Sequence, residues 1–190
     1  RENIKLEKFK TIFCCYGKVQ PFKRIIPILT ALKKFIKSEP NTLLIIAGEE
    51  DENFNVNEII TDLHLERNVM VTGHKPFQEI KKYIWASDLC FNLRYPTTGS
   101  YSGSLATILS LGKPCVVTNI NEYKEIPDDI VYKISLTKNE VKQIEELMRR
   151  TITHQEELVS KGQNARKYMK ENHNWKTSTT KIKKWMTRNK

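Results

Sequence analysis

The chain has 190 residues and a mass of 22.3 kDa, with 39% hydrophobic and 28% charged residues, a size that suits one domain with a substantial core. Its 32 Lys and Arg against 22 Asp and Glu give a formal net charge of +10. Ten of those basic residues lie in 161–190, where Glu171 is the one acid, so the body is nearly neutral and lacks the basic stripe of a nucleic-acid binder. No run approaches the roughly 18 apolar residues of a membrane span. Cys14, Cys15, Cys90 and Cys115 show neither C-x-x-C spacing nor a neighbouring His, which excludes a structural zinc pattern and points to a reduced, cytoplasmic setting. The charged opening 1–10, without an initiator Met, reads as a piece of a longer protein and not as a signal peptide.

Taken in order, Thr11–Tyr16 is apolar throughout, as a central parallel strand should be. Pro21 and Phe22 open a helix with Ile25, Leu29, Leu32 and Ile36 on its apolar stripe. A second strand, Thr42–Ala47, ends at Gly48, and 55–65 reads as a short helix before a third strand at 68–72. Pro76 starts a helix with Ile80, Tyr83 and Ile84 inward, and 89–93 is a fourth strand. The helix 102–111 stops at Gly112, a C-terminal cap. Strands follow at 114–118 and 129–132, and the pattern is helical from Asn139 with a break near Gly162 and a last helix from about Trp175. Such alternation predicts an α/β fold: a doubly wound, Rossmann-like parallel sheet of about six strands with helices on both faces. It is read as one domain over 1–190, with 174–190 a basic amphipathic helix.

Ligands of such sheets bind beyond the carboxyl ends of the strands, near a topological switch point. Two loops there draw notice. After the first strand come Gly17, Lys18 and, five positions on, Lys23; after the fourth come Gly99, Ser100, Ser102, Gly103 and Ser104, running into a helix start. Glycines permit close backbone approach, serines offer hydroxyls, and the helix start offers unpaired N–H groups with about half a positive charge. With two lysines closing from the facing loop, that combination suits a diphosphate better than one carboxylate. The bland alternative is an N-cap and turn with both lysines solvated. Neither G-x-G-x-x-G nor G-x-x-x-x-G-K-[ST] is present: Pro114 follows Lys113 where the latter needs a hydroxyl.

The order of Gly17, Lys18 and Lys23, then Leu43–Gly48, Val71–Gly73, Ala86–Asp88, the Gly/Ser loop and Leu111–Val117 resembles the C-terminal, donor-binding half of group 1 (family 4) glycosyltransferases of GT-B fold, across roughly 11–173. The resemblance implies that Lys18, usually Arg in that family, and Lys23 are the catalytic cations on the donor diphosphate. Lys at 18 keeps the charge and loses the planar fork. It implies that Gly17, Gly99, Ser100, Ser102, Gly103 and Ser104 cradle the phosphates, and that Gly73, His74 and Lys75 border the nucleobase; His74 reads equally as a plain loop histidine. The family's two glutamates around the phosphate loop fall at Gly99 and Thr107, and a family variant's acid falls at Ser100; none is acidic here. Thr107 could offer a weaker hydroxyl contact. Glu122 and Glu125, after the fifth strand, either meet donor hydroxyls or solvate their loop.

The implied activity is retaining glycosyl transfer from a nucleotide-diphosphate sugar in polysaccharide or glycoconjugate biosynthesis, in a bacterial setting. No cofactor and no metal is implied, and no Asp-x-Asp pair occurs. The implied partners are the nucleotide sugar and an N-terminal acceptor-binding domain, without which this chain is expected to turn over little. In the tail, Trp175, Thr179, Ile182, Trp185 and Met186 share a helical face flanked by Lys181, Lys183, Lys184 and Arg188. It either docks its stripe on a domain or meets an anionic membrane surface, at the inner membrane face. The alternative function is a degenerate nucleotide-sugar-binding or partner-binding domain.

Overall fold

The computed structural model describes residues 6–97, 99 and 101–188, the side chains of Trp175 and Lys181 apart. Six parallel strands, β1 (Thr11–Tyr16), β2 (Thr42–Ala47), β3 (Val69–Val71), β4 (Leu89–Asn92), β5 (Cys115–Thr118) and β6 (Tyr132–Ile134), form one sheet in the order β3-β2-β1-β4-β5-β6. The helices are α1 (Ile25–Phe35), α2 (Val56–Asp62), α3 (Phe77–Ala86), α4 (Gly103–Ser110), α5 (Glu140–Thr153), α6 (Gln155–Asn172) and α7 (Trp175–Arg188). Strand order reverses between β1 and β4, so their carboxyl ends flank the crevice where doubly wound sheets bind ligands.

Alternation along each strand feeds two cores. Phe13, Leu44, Phe91 and Val116 pack under α1 and α5 with Leu29, Phe35 and Met148. Ile12, Ile45, Cys90 and Val117 face α3, α4 and α6 with Ile84, Leu109 and Met169. Such strands read as unbroken apolar runs because both faces are covered. All four cysteines are buried free thiols, and Cys14, Cys90 and Cys115 stand side by side across β1, β4 and β5. Among the described residues no helix is long and apolar enough to cross a membrane.

Three elements differ from the sequence expectation. The helix expected at Pro21 is a single 3-10 turn, Pro21–Lys23; Arg24 then adopts the left-handed conformation (φ 57°) and α1 begins at Ile25. The last strand sits at Tyr132–Ile134, because Val116 pairs with Tyr132, while Ile130 and Val131 form a buried turn leading into it. Gly162 does not break the helix: the break falls at His154, and α6 runs on through 162. A β-carbon at Gly162 would collide with the carbonyl of Gly112, so glycine there lets α6 lie on the end of α4.

Candidate functional site

The loop after β1 is shaped by backbone first. Gly17 (φ 107°) turns the chain beyond Tyr16, its N–H held by the Ala47 carbonyl at 3.0 Å, and Val19 donates to the Glu49 carbonyl at 2.7 Å and accepts from the Asp51 N–H at 2.9 Å in the segment beyond β2. The 3-10 turn then folds Lys23 back under the loop. Lys23 is 7% exposed, and its Nζ donates to the Tyr16 carbonyl at 2.9 Å. A β-carbon on Gly17 would stand 2.5 Å from that Nζ and 3.4 Å from the Ser104 hydroxyl, so glycine holds the space in which lysine and serine face each other. The two loops are stitched together by the Tyr95 N–H, which donates to the Phe22 carbonyl at 2.8 Å.

The loop after β4 ends in a helix start built by serine. Ser102 caps α4, its hydroxyl accepting from the Leu105 N–H at 3.2 Å. Asn92, at the end of β4, accepts from Ser104 at 3.0 Å and from Ser102 at 3.3 Å. Arg94 donates through Nη2 to Ser102 at 2.9 Å and to Ser104 at 3.5 Å, and its guanidinium lies 5.5 Å from the centre of the Phe22 ring. The Nε of Arg94 and the Nδ2 of Asn92 are buried without a hydrogen-bond partner. Among the described residues no carboxylate pairs with Lys23 or Arg94. Burial, and secondarily the charge of Arg94, pull the Lys23 ammonium from 10.5 to about 8. The cup therefore gathers two cations and a helix N-terminus with no carboxylate paired to either cation among the described residues.

Lys18 is elsewhere. Its Nζ lies 3.3 Å from Asp51, on a side chain 54% exposed, and Asp51 also accepts from Gln20 at 2.8 Å. Those bonds, that from Gln20 first, hold the Asp51 carboxyl below the usual carboxylate range. Lys18 instead borders a cavity of about 380 Å³ with Gly17, Gly48, His74, Lys75 and Phe77, and Gly48 forms a β-bridge with Gly73. Of the expected nucleobase residues, His74 and Lys75 thus line one cavity next to the cup, while Gly73 pairs with Gly48 beside it.

The remaining predicted residues are placed as follows. Gly99 (φ 74°) and Gly103 have open space around them, which keeps backbone approach free. Ser100 lies outside the described residues. The Thr107 hydroxyl donates to the Gly103 carbonyl at 3.0 Å, within its own helix. Glu125 is exposed, whereas Glu122 is half-buried and accepts from Thr97 through Oε2 at 3.2 Å, with Oε1 buried and unpartnered. Sequence reasoning overlooked Arg94 and Asn92. The available signals were a polar residue closing an apolar strand and a cation directly after it, both beside the switch point.

The order-reversing parallel sheet, with a Gly/Ser loop and helix start at its crevice, is a Rossmann-like fold, and its structural neighbours are GT-B glycosyltransferases. Over residues 1–168 the chain matches the family model of glycosyl transferases group 1, and it belongs to that family. It is 26% identical over 180 residues to an uncharacterised glycosyltransferase of Methanocaldococcus jannaschii, covering 94% of this chain and 46% of that protein. It superposes on Anabaena HepE in complex with UDP with a TM-score of 0.84 at 16% identity, covering 99% of this chain and 51% of that one. The C-terminal domain of LpcC, a group 1 family protein of Francisella tularensis, is matched with a TM-score of 0.77 at 13% identity, over 91% of both chains. The chain spans about half the length of the first two.

Proposed function

We infer that this chain is the donor-binding half of a retaining glycosyltransferase and takes the diphosphate of a nucleotide sugar in the cup at Gly17, Lys23 and the start of α4. The observation that carries this reading is Lys23, a buried ammonium without a carboxylate, aimed at a helix N-terminus. Burying a charge unpaired costs several kcal/mol unless an ion arrives to share it. The two sub-sites lie in sequence along the strand ends: the His74 cavity at β2 and β3, then the cup at β1 and β4. A donor laid across them has its base in the cavity and its sugar toward Thr97 and Glu122. UDP bound to HepE, a protein of the same fold, supports a nucleoside diphosphate as the ligand.

In transfer, the bond from the sugar's anomeric carbon to the diphosphate oxygen breaks while the acceptor hydroxyl oxygen bonds that carbon, and its proton leaves with the diphosphate. Negative charge grows on the leaving oxygen. The Lys23 ammonium and the first N–H groups of α4 lie where that charge develops, already oriented by Tyr16 and Ser102. The acceptor and its domain belong to the remainder of the enzyme. A catalytically silent nucleotide-sugar-binding domain is the second reading, favoured by the neutral Gly99 and Thr107.

Calorimetric titration with UDP tests the reading through pH. UDP is fully ionised above about pH 7, since a terminal phosphate's second pKa lies near 6, so the profile there reports the protein. Binding needs the protonated ammonium, and the free group titrates at about 8. Affinity should fall by about twofold from pH 7 to 8 and more steeply above that, approaching about tenfold per unit. An affinity that is unchanged between pH 7 and 9.5, or no UDP binding at all, contradicts the reading.

A further inference from the structure

We propose that Arg94, and not Lys18, is the second cation of the diphosphate site, and that it grips the sugar-side phosphate. The inference rests on the donor-binding reading and adds to it a residue and a role.

The two candidates differ in what already holds them. Lys18 is committed to Asp51, which Gln20 steadies, and it borders the neighbouring cavity on a side chain half in solvent. Arg94 faces Ser102 and Ser104, the same two hydroxyls that frame the start of α4, and Ser104 adjoins the Lys23 ammonium across Gly17. Its guanidinium lies over the Phe22 ring, 5.5 Å from the ring centre. One Nη2 is shared between two hydroxyls, Nε has no acceptor, and no carboxylate is paired with it among the described residues. A guanidinium left in that condition beside a second cation is an incomplete site: a planar fork with unsatisfied donors matches phosphate oxygens bidentately.

Position along the sheet chooses between the two phosphates. The cavity with His74 and Lys75 lies at the ends of β2 and β3, Lys23 and Gly17 follow β1, and Arg94 follows β4. A donor entered base-first at the cavity brings its first phosphate to Gly17 and its second over β4. The Arg94 Nη2 contact to the capping Ser102 couples phosphate binding to the helix start.

Calorimetry with UDP, UMP and uridine on the native chain, Arg94→Gln, Arg94→Lys and Lys18→Ala separates the possibilities. For Arg94→Gln the ratio of UDP to UMP affinity should fall by about tenfold or more, the loss of one charge-assisted contact, with uridine binding unchanged. Arg94→Lys, which keeps a cation over Phe22, should lower the same ratio by about threefold. Lys18→Ala should leave the ratio as in the native chain. A merely structural Arg94 would weaken UDP and UMP alike and leave the ratio unmoved in either Arg94 variant, which overturns the proposal. So does a ratio that collapses in Lys18→Ala instead, although UDP binding in the cup would then still stand. Absence of UDP binding to the native chain removes both the proposal and the reading beneath it.

Discussion

On the donor-binding reading, replacing Lys23 with methionine should cost on the order of 10²–10³ in the rate of glycosyl transfer, while the folded chain melts at or above the native temperature. Both effects have one origin. The native ammonium is 7% exposed and held at about 8 against an ordinary 10.5. Folding therefore disfavours the charged form, by on the order of 3 kcal/mol at neutral pH, since each pKa unit is worth about 1.4 kcal/mol. Methionine keeps most of the side-chain volume and removes the charge, at the cost of the bond to the Tyr16 carbonyl. The sign also appears in the native chain's pH profile. Below about 8 lysine is protonated folded and unfolded; between about 8 and 10.5 the unfolded chain holds the extra proton, so stability rises with pH across that window. The methionine variant should lack this rise. Thermal melts at pH 7, 8.5 and 10 and a transfer assay check both halves; a variant that melts lower yet transfers normally contradicts them.

The second large effect is structural and lies one residue away. Arg24→Ala should destabilise the fold by about 2–3 kcal/mol, and so lower the melting temperature by roughly 5–10 °C for a chain of this size. Arg24 makes a two-pronged pair with Glu140, its Nε at 3.0 Å from Oε1 and its Nη2 on Oε2. That pair ties the start of α1 to the first turn of α5, two helices packed on the same face of the sheet. The Glu140 side chain is 8% exposed and loses its counter-ion; the 29% exposure of Arg24 lets water screen the pair, so the loss is smaller than for a fully buried one. Arg24 also holds the left-handed conformation (φ 57°) that glycine takes at little cost. Arg24→Gly loses the same pair but relieves the backbone, and should recover about 1 kcal/mol of the alanine loss. Denaturant melts of the two variants check this; equal stability of alanine and glycine would show that the backbone at 24 carries no strain.

Much of the fold is legible in the sequence because parallel strands buried on both faces must be apolar at every position, and Thr11–Tyr16 and Thr42–Ala47 are. Gly112 and Ser102 mark the ends of α4 by the ordinary chemistry of caps. Where the reading slips, tertiary contact overrides local signal. Gly162 is a helix breaker by propensity, yet it is demanded by the Gly112 backbone it lies against. Asp129–Tyr132 has strand composition, yet the register set by Val116 with Tyr132 shifts the strand onward. At the site, Lys23 and the Gly/Ser loop follow from spacing and helix-terminus physics. Lys18 and Arg94 do not, since nothing local says that Lys18 would find Asp51 or that Phe22 would support a guanidinium arriving from β4. Which of several nearby cations faces a cup is a property of side-chain packing.

The claim on which the account turns is that a pyrophosphate sits against the Lys23 ammonium. Nuclear magnetic resonance of the lysine side chains, assigned with Lys23→Met and followed through a pH titration with and without UDP, measures this at the atom concerned. Lys23 should titrate at about 8 in the free chain and move up by about one unit or more when UDP is bound, as a facing anion favours the charged form. A Lys23 that titrates at the same pH with UDP saturating the chain would place the phosphates elsewhere.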